Sequence, residues 1–367
     1  MIAVFVDARG RRALPPRHVR QARLAALVGL EDDAPAGTPA PPRQVAAPNP
    51  PALGPAGRVA TLWALALACC VAYVGWGLSG PWRFLLERRL TVLATMVVVA
   101  VAVAVATVVF HTATANRVIT PSIMGYDALY VLLQTLVAAT AGLGPWLRAD
   151  PLLRFAAESA LMVGVSMLLY RWLLVGARRS LHVLILAGVV LGVVLRSVSA
   201  FVQRLLDPTQ FIVLQDRLFA SFTGAKPPMI AAAALLCAVA VAVLWRRRAA
   251  LDVMLLGPEM ATGLGIDARR GTLGVLAIVA LLVSASTALV GPSGFFGLLA
   301  AHLGYLVAGR HAHALTLPAA SGAAVIALVG GQFVMERLLG YEGTLSVIVE
   351  LLGGLVFILL LVRRSRV

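Results

Sequence analysis

Lysine is all but missing from this chain. Of its 31 basic residues only Lys226 is a lysine, and the acidic residues number 16. Charged side chains make up 13% of the sequence, against roughly a quarter in soluble globular domains. That shortage excludes an ordinary soluble enzyme or carrier. The missing lysines also exclude a nucleotide-binding P-loop, which needs Gly-x-x-x-x-Gly-Lys-Ser/Thr to hold phosphates. The single lysine lies in Thr223-Gly224-Ala225-Lys226-Pro227, which lacks that frame. If ATP drives this protein, the motor is a separate subunit. Cysteine is scarce too. Cys69, Cys70 and Cys237 fall in apolar runs, with neither metal-ligand spacing nor a pairing that suits a simple disulfide. His302, His311 and His313 have no cysteine or carboxylate at ligand spacing, so no metal site is expected.

What is abundant is apolar sequence. Hydrophobic residues are 60% of the chain and mean hydropathy is +0.91. Runs close to the ~20 residues that cross a bilayer occupy 59–79, 89–111, 120–140, 152–174, 181–202, 228–245, 272–290, 295–309, 316–336 and 345–362. The expectation is an all-α polytopic membrane protein with about ten spans in a domain covering 58–367. Residues 1–57 differ. They are rich in proline and arginine and too weakly apolar to build a core, and are expected to form a disordered cytoplasmic extension.

The net charge of +15 would suggest nucleic acid in a soluble protein. Here the arginines sit between spans, and the tendency of cytoplasmic loops to collect them accounts for most of the excess. With the N-terminus inside, the inner connections hold Arg117, Arg178-Arg179, Arg246 to Arg248, Arg269-Arg270, Arg310 and Arg363-Arg364. The outer ones keep Arg83, Arg88-Arg89, Arg148, Arg204, Arg217, Lys226 and Arg337. An even number of spans places both termini in the cytoplasm. Two short turns, TPSIMG at 120–125 and GPSGFFG at 291–297, follow the second and seventh runs. They would lie on opposite membrane faces, as an inverted repeat requires.

One polar block stands out. Residues 251–270, LDVMLLGPEMATGLGIDARR, lie between two long apolar runs and are flanked by arginines. The Gly-Pro-Glu start, the apolar Met254, Leu255, Met260 and Leu264, and the glycine-rich end suggest short helices joined by a sharp turn. Glu158, Arg196 and Glu350 fall inside apolar runs, where an ionisable group is costly and a functional candidate by default. Arg196 suits either a wet path or an ion pair with Glu158 or Glu350.

The block Leu255-Leu256-Gly257-Pro258-Glu259-Met260-Ala261-Thr262-Gly263-Leu264-Gly265 resembles the coupling segment of the FecCD-type permeases. These are the membrane subunits of ABC importers for iron-siderophores, haem and cobalamin. Val290-Gly291-Pro292-Ser293-Gly294-Phe295-Phe296-Gly297-Leu298 is similar to that family's Gly-Pro-x-x-Phe-x-Gly-Leu. Ala300-Ala301-His302, Leu317-Pro318-Ala319-Ala320 and Gly353-Gly354 with Phe357 follow in order. Asn116-Arg117-Val118-Ile119-Thr120-Pro121 through Asp127, Asp207-Pro208-Thr209-Gln210-Phe211 and Thr344-Leu345-Ser346 through Glu350 resemble the petrobactin and anguibactin branch. Ala301, Tyr305 and Arg196 depart from the family pattern.

The resemblance implies a cobalamin-importer-type fold and the permease role in a ferric-siderophore importer, with haem or cobalamin as the alternative cargo. An ion-coupled secondary transporter is the alternative of another kind. The FecCD resemblance implies as partners a cytoplasmic ABC ATPase dimer, a second permease subunit that is the same or different, an extracytoplasmic siderophore-binding protein and membrane lipid, but no nucleic acid. The chain itself would bind no cofactor and make no bonds; ATP and Mg would belong to the ATPase. The location implied is the bacterial inner membrane. Gly257, Pro258, Glu259, Met260, Ala261, Leu264 and Gly265 would engage the ATPase. Arg88, Arg89 and Arg337 would dock the binding protein through bidentate carboxylate pairs. Arg196, Gly291, Pro292, Gly294 and Glu350 would line the translocation path.

Overall fold

A computed structural model describes residues 53–77, 82–175, 181–338, 340, 351 and 353–355. Among these the structure is helical throughout, with no strand. In chain order the helices are α1 (Pro55–Gly75), α2 (Trp82–Thr114), α3 (Tyr126–Thr140), α4 (Leu143–Arg148), α5 (Pro151–Val175), α6 (Leu181–Gln203) and α7 (Pro208–Leu218). They continue with α8 (Pro227–Arg246), α9 (Arg248–Met254), α10 (Pro258–Gly263), α11 (Ala268–Val290), α12 (Phe296–Ala308) and α13 (His313–Val325). Helix α13 runs on through two π-turns, Ile326–Gly330 and Val334–Leu338. Its internal Pro318 costs one backbone bond, and the Pro318 carbonyl accepts from Trp63 Nε1 at 3.0 Å.

Seven of the described helices are long and apolar enough to cross a membrane. They coincide with seven of the ten predicted runs. The predicted runs at 120–140 and 295–309 form the shorter α3 and α12, of 15 and 13 residues. The run at 345–362 lies outside the described residues apart from four positions. The two short helices have the same cause. Each follows a long buried helix and a turn whose glycine adopts positive φ, +101° at Gly125 and +98° at Gly291, a conformation open to glycine at little cost. The turn consumes residues that would otherwise lengthen the helix.

Burial ranks the helices. In α2 and α11, 72% of the most apolar window is buried, against 17% in α1 and α6. A helix that is apolar on all sides belongs in the interior, and α2 is the mast around which α8, α11, α12 and α13 pack. Its 33 residues give it a length of about 50 Å. Phe110 on α2 and Phe296 on α12 are fully enclosed. Helix approach relies on small residues, as is common where apolar helices gain little from solvent exclusion. A Cβ on Gly304 of α12 would fall within 2.7 Å of Cα, N and Cβ of Ala320 on α13. A Cβ on Gly192 of α6 would stand 3.1 Å from Gly125 Cα.

Replacing Gly304 by valine must therefore separate α12 from α13. The expected cost is roughly 1–3 kcal/mol, read as a lower midpoint of thermal unfolding in detergent. Gly164 of α5 has open space around its Cα, so Gly164→Ala is expected to leave the midpoint unchanged or raise it. Equal behaviour of the two variants would contradict this packing.

Candidate functional site

The 251–270 block folds as two short helices at one end of the bundle, α9 and α10, joined by Leu255, Leu256 and Gly257. Gly257 takes φ +96° and Pro258 opens α10, with Glu259 in the first turn. Proline suits that position because no helical partner awaits its missing N–H, and the carboxylate faces the positive end of the helix. Thr262 Oγ1 donates back to the Pro258 carbonyl at 2.8 Å. Gly265, at φ +84°, reverses the chain, and Ile266 N–H donates to the Ala261 carbonyl at 2.9 Å. Asp267 then caps α11 by accepting from Arg270 N–H at 3.0 Å.

This local order turns an apolar surface outward. Ala261 is buried, whereas Leu256, Met260 and Leu264 are 58%, 64% and 63% exposed. Three large apolar side chains thus stand exposed on one small knob that also carries exposed Glu259, with exposed Arg269 and Arg270 just beyond it. Of the predicted coupling residues, Pro258, Glu259, Met260, Leu264 and Gly265 are exposed, Gly257 is half-buried and Ala261 is buried.

The knob is also tied to the bundle. Asp252 Oδ1 accepts from the His313 backbone N–H at 2.8 Å and lies 2.6 Å from His313 Nδ1. His313 opens α13, so the carboxylate caps that helix end. The other ring nitrogen, Nε2, lies 2.8 Å from Thr112 Oγ1 near the end of α2. A carboxylate partner for His313 therefore does exist, 61 residues away and beyond the reach of spacing arguments. Among the described residues no three His, Cys, Asp or Glu side chains form a metal-binding group. Beside this link, a cavity of about 10 Å³ is lined by His111, Arg117, Leu255, Tyr305 and Thr316 among others. Arg117 donates to His311 Nδ1 at 3.0 Å and lies 5.0 Å above the Tyr305 ring. Where the family resemblance leads one to expect arginine, Tyr305 is instead backed by a guanidinium from another segment.

At the opposite end the predicted docking arginines divide. Arg88 and Arg337 are exposed. Arg89 is not: it is 6% exposed and donates to the carbonyls of Val74 and Trp76, both at 2.8 Å, and of Gly77 at 3.4 Å. The expectation that Arg89 faces a binding protein is corrected on this point. Helix α1 ends with orphan carbonyls, and the Arg89 guanidinium satisfies them.

The ionisable residues of the spans also separate. Glu158, buried in α5, accepts from Trp146 Nε1 at 3.1 Å. Arg196 is exposed on α6, with its guanidinium beside Gly192. The pair between Arg196 and Glu158 considered from sequence does not form; Glu350 lies outside the described residues. Gly291 closes α11 and packs on Ala220 and on the Arg217 carbonyl, while Ser221 N–H donates to the Val290 carbonyl at 2.8 Å. Pro292 and Gly294 are half-buried in the turn before α12. Sequence reasoning missed α7. Its signal was Asp207-Pro208, a helix start: Asp207 Oδ1 accepts from Thr209 N–H at 2.8 Å. At its end, burial holds the Arg217 guanidinium below its ordinary pKa, and the neighbouring Arg154 acts in the same direction.

Seven long apolar helices, packed around a buried mast, define a multi-pass membrane protein. The family model described as the FecCD transport family matches residues 60–363, and the chain belongs to that family. It is 37% identical to the petrobactin import system permease protein YclO of Bacillus subtilis over 309 residues, covering 84% of this chain and 98% of the relative. It is 32% identical to the petrobactin import system permease protein FatC of Bacillus anthracis, covering 76% and 78%. A solved structure described as an inward-facing conformation of a metal-chelate type ABC transporter matches with a TM-score of 0.73 at 20% identity, covering 84% of this chain and 99% of that one.

Arg89→Ala strands the α1 carbonyls. It is expected to destabilise the detergent-solubilised protein by roughly 2–3 kcal/mol, seen as a lower unfolding midpoint, whereas Arg88→Ala leaves the midpoint in place. A stable Arg89→Ala protein would contradict the capping role.

Proposed function

We propose that this chain is a permease subunit of an ABC importer that carries a ferric siderophore into the cytoplasm. The observation that supports this most directly is the α9–α10 knob, whose exposed leucines and methionine suit a cleft on a separate ATPase. The petrobactin import permeases among its relatives supply the cargo class. The partners are a cytoplasmic ATPase dimer that holds ATP and Mg, a second permease subunit, and an extracytoplasmic binding protein that delivers the iron complex. The knob end is cytoplasmic, as its arginines favour, both termini lie on that side, and the membrane is the bacterial inner membrane.

The physical cycle follows from that assignment. A loaded binding protein meets the far end of the bundle, where Arg88 and Arg337 are exposed and offer planar guanidinium groups to carboxylates. ATP-driven closure of the ATPase dimer displaces the knob, and the bundle exchanges outward- and inward-open states. Direction comes from the different affinities of ATP and cargo for those states. Arg196, exposed on a span that is itself little buried, faces a water-filled path between two permease subunits and attracts an anionic ferric complex. The Gly291-Pro292 turn and the short α12 give that path an interrupted helix. Glu158 is held by Trp146 and Arg196 lies apart from it, so an ion-coupled relay through these residues has no geometric support.

Burying a leucine contributes roughly 1.5–3 kcal/mol, and a carboxylate in its place adds a desolvation cost. Leu264→Asp is therefore expected to abolish both siderophore uptake and co-purification of the ATPase, while membrane insertion continues. Wild-type uptake by this variant would sink the coupling assignment.

A further inference from the structure

Beside the apolar packing of Leu251 in the core, one polar chain joins the knob to α13 and α2. Asp252 of α9 binds the His313 backbone N–H and approaches Nδ1 of the same residue, at 2.8 and 2.6 Å. A carboxylate can only accept, so Nδ1 carries the hydrogen. The Nε2 atom of the same ring lies 2.8 Å from the Thr112 hydroxyl, which also donates to the Val108 carbonyl at 3.2 Å. The His313 side chain is 1% exposed, while Asp252 stands at the rim at 37%. A single oxygen thus grips both the backbone and the ring of the first residue of α13, and that ring grips the end of α2. The α12–α13 connection is fastened a second time, because His311 accepts from Arg117 just beyond α2. Among the described residues no other side chain of α9 or α10 hydrogen-bonds to α2 or α13.

We propose that Asp252, His313 and Thr112 form the link that carries displacement of the α9–α10 knob into the bundle. They are positioning residues: they touch neither the ATPase surface nor the cargo. Leu256, Met260 and Leu264 receive the push, and Asp252 transmits it to the N-terminus of α13. His313 then passes it to α2, the helix against which α8, α11, α12 and α13 pack. Hydrogen bonds suit this task better than apolar contact because they fix direction and length. In a close-packed interior a small shift at one helix end moves its neighbours rather than being absorbed. The inference rests on the reading of α9–α10 as the ATPase contact.

The test uses the whole importer in liposomes, with ATP hydrolysis and ferric-siderophore uptake measured together. Thr112→Val keeps side-chain size and removes the hydroxyl, and Asp252→Ala removes the grip. Both are expected to retain ATPase co-purification and ATP hydrolysis. Uptake per ATP should fall about tenfold, an ordinary size for a coupling free energy. Thr112→Ser restores the hydroxyl and is expected to restore coupling. Wild-type uptake per ATP in Thr112→Val and Asp252→Ala would overturn the proposal. So would loss of ATPase co-purification in Thr112→Val, which would mark a docking defect, or a Thr112→Ser variant as poor as Thr112→Val. Failure of the underlying reading shows separately, as Leu264→Asp retaining its ATPase.

Discussion

Within a bilayer every backbone N–H and C=O must be satisfied by the protein itself, and this requirement decides where the chain of this permease can stop, turn and be moved. Helix interiors meet it automatically; helix ends do not. At the end of α1, Arg89 takes three carbonyls. At the end of α11, the Val290 carbonyl is taken by Ser221 N–H. At the start of α13, the His313 N–H is taken by Asp252. In each case a distant segment is recruited to a helix end, so these ends are the places where separate parts of the chain are tied together.

Function follows the same geography. The knob of α9 and α10 solves its backbone accounting locally, through Pro258, Gly257, Gly265 and the Asp267 cap. It can therefore project from the bundle and show Met260 and Leu264 outward. Its polar attachment to α13 is the Asp252–His313 contact, which stands beside the burial of Leu251 in the apolar core and the continuity with α8 and α11. The packing of α12 on α13 through Gly304 and Ala320 makes the region it grips stiff.

The sequence carried the long helices and the knob clearly, because both depend on local pattern. Apolar runs of membrane length gave seven spans, and the Gly-Pro-Glu and Gly-rich ends marked the short helices between α8 and α11. The shortness of α3 and α12 was less legible: Gly125 and Gly291 were visible, but how many residues each turn takes depends on what packs against it. Arg89 read as an outward-facing docking residue because, like Arg88, it lies at the predicted outer end of a span. Only the arrival of the α1 end at its side chain, which no periodicity reveals, turns it inward. Asp252, His313 and Thr112 are separated by 61 and 201 residues, so their meeting belongs to tertiary structure. The family match strengthens the class of protein, and the fold gives individual residues their tasks.

The central claim is that a separate ATPase, gripping the α9–α10 knob, powers movement of a ferric siderophore through this permease. The most direct measurement is uptake of a ferric catecholate-type siderophore by proteoliposomes containing the permease pair, with the binding protein present outside. The ATPase is included or omitted, and ATP or an imposed proton gradient is supplied. Uptake that needs the ATPase and internal ATP together, and is indifferent to the gradient, is the predicted result. Uptake driven by the gradient without the ATPase would contradict it.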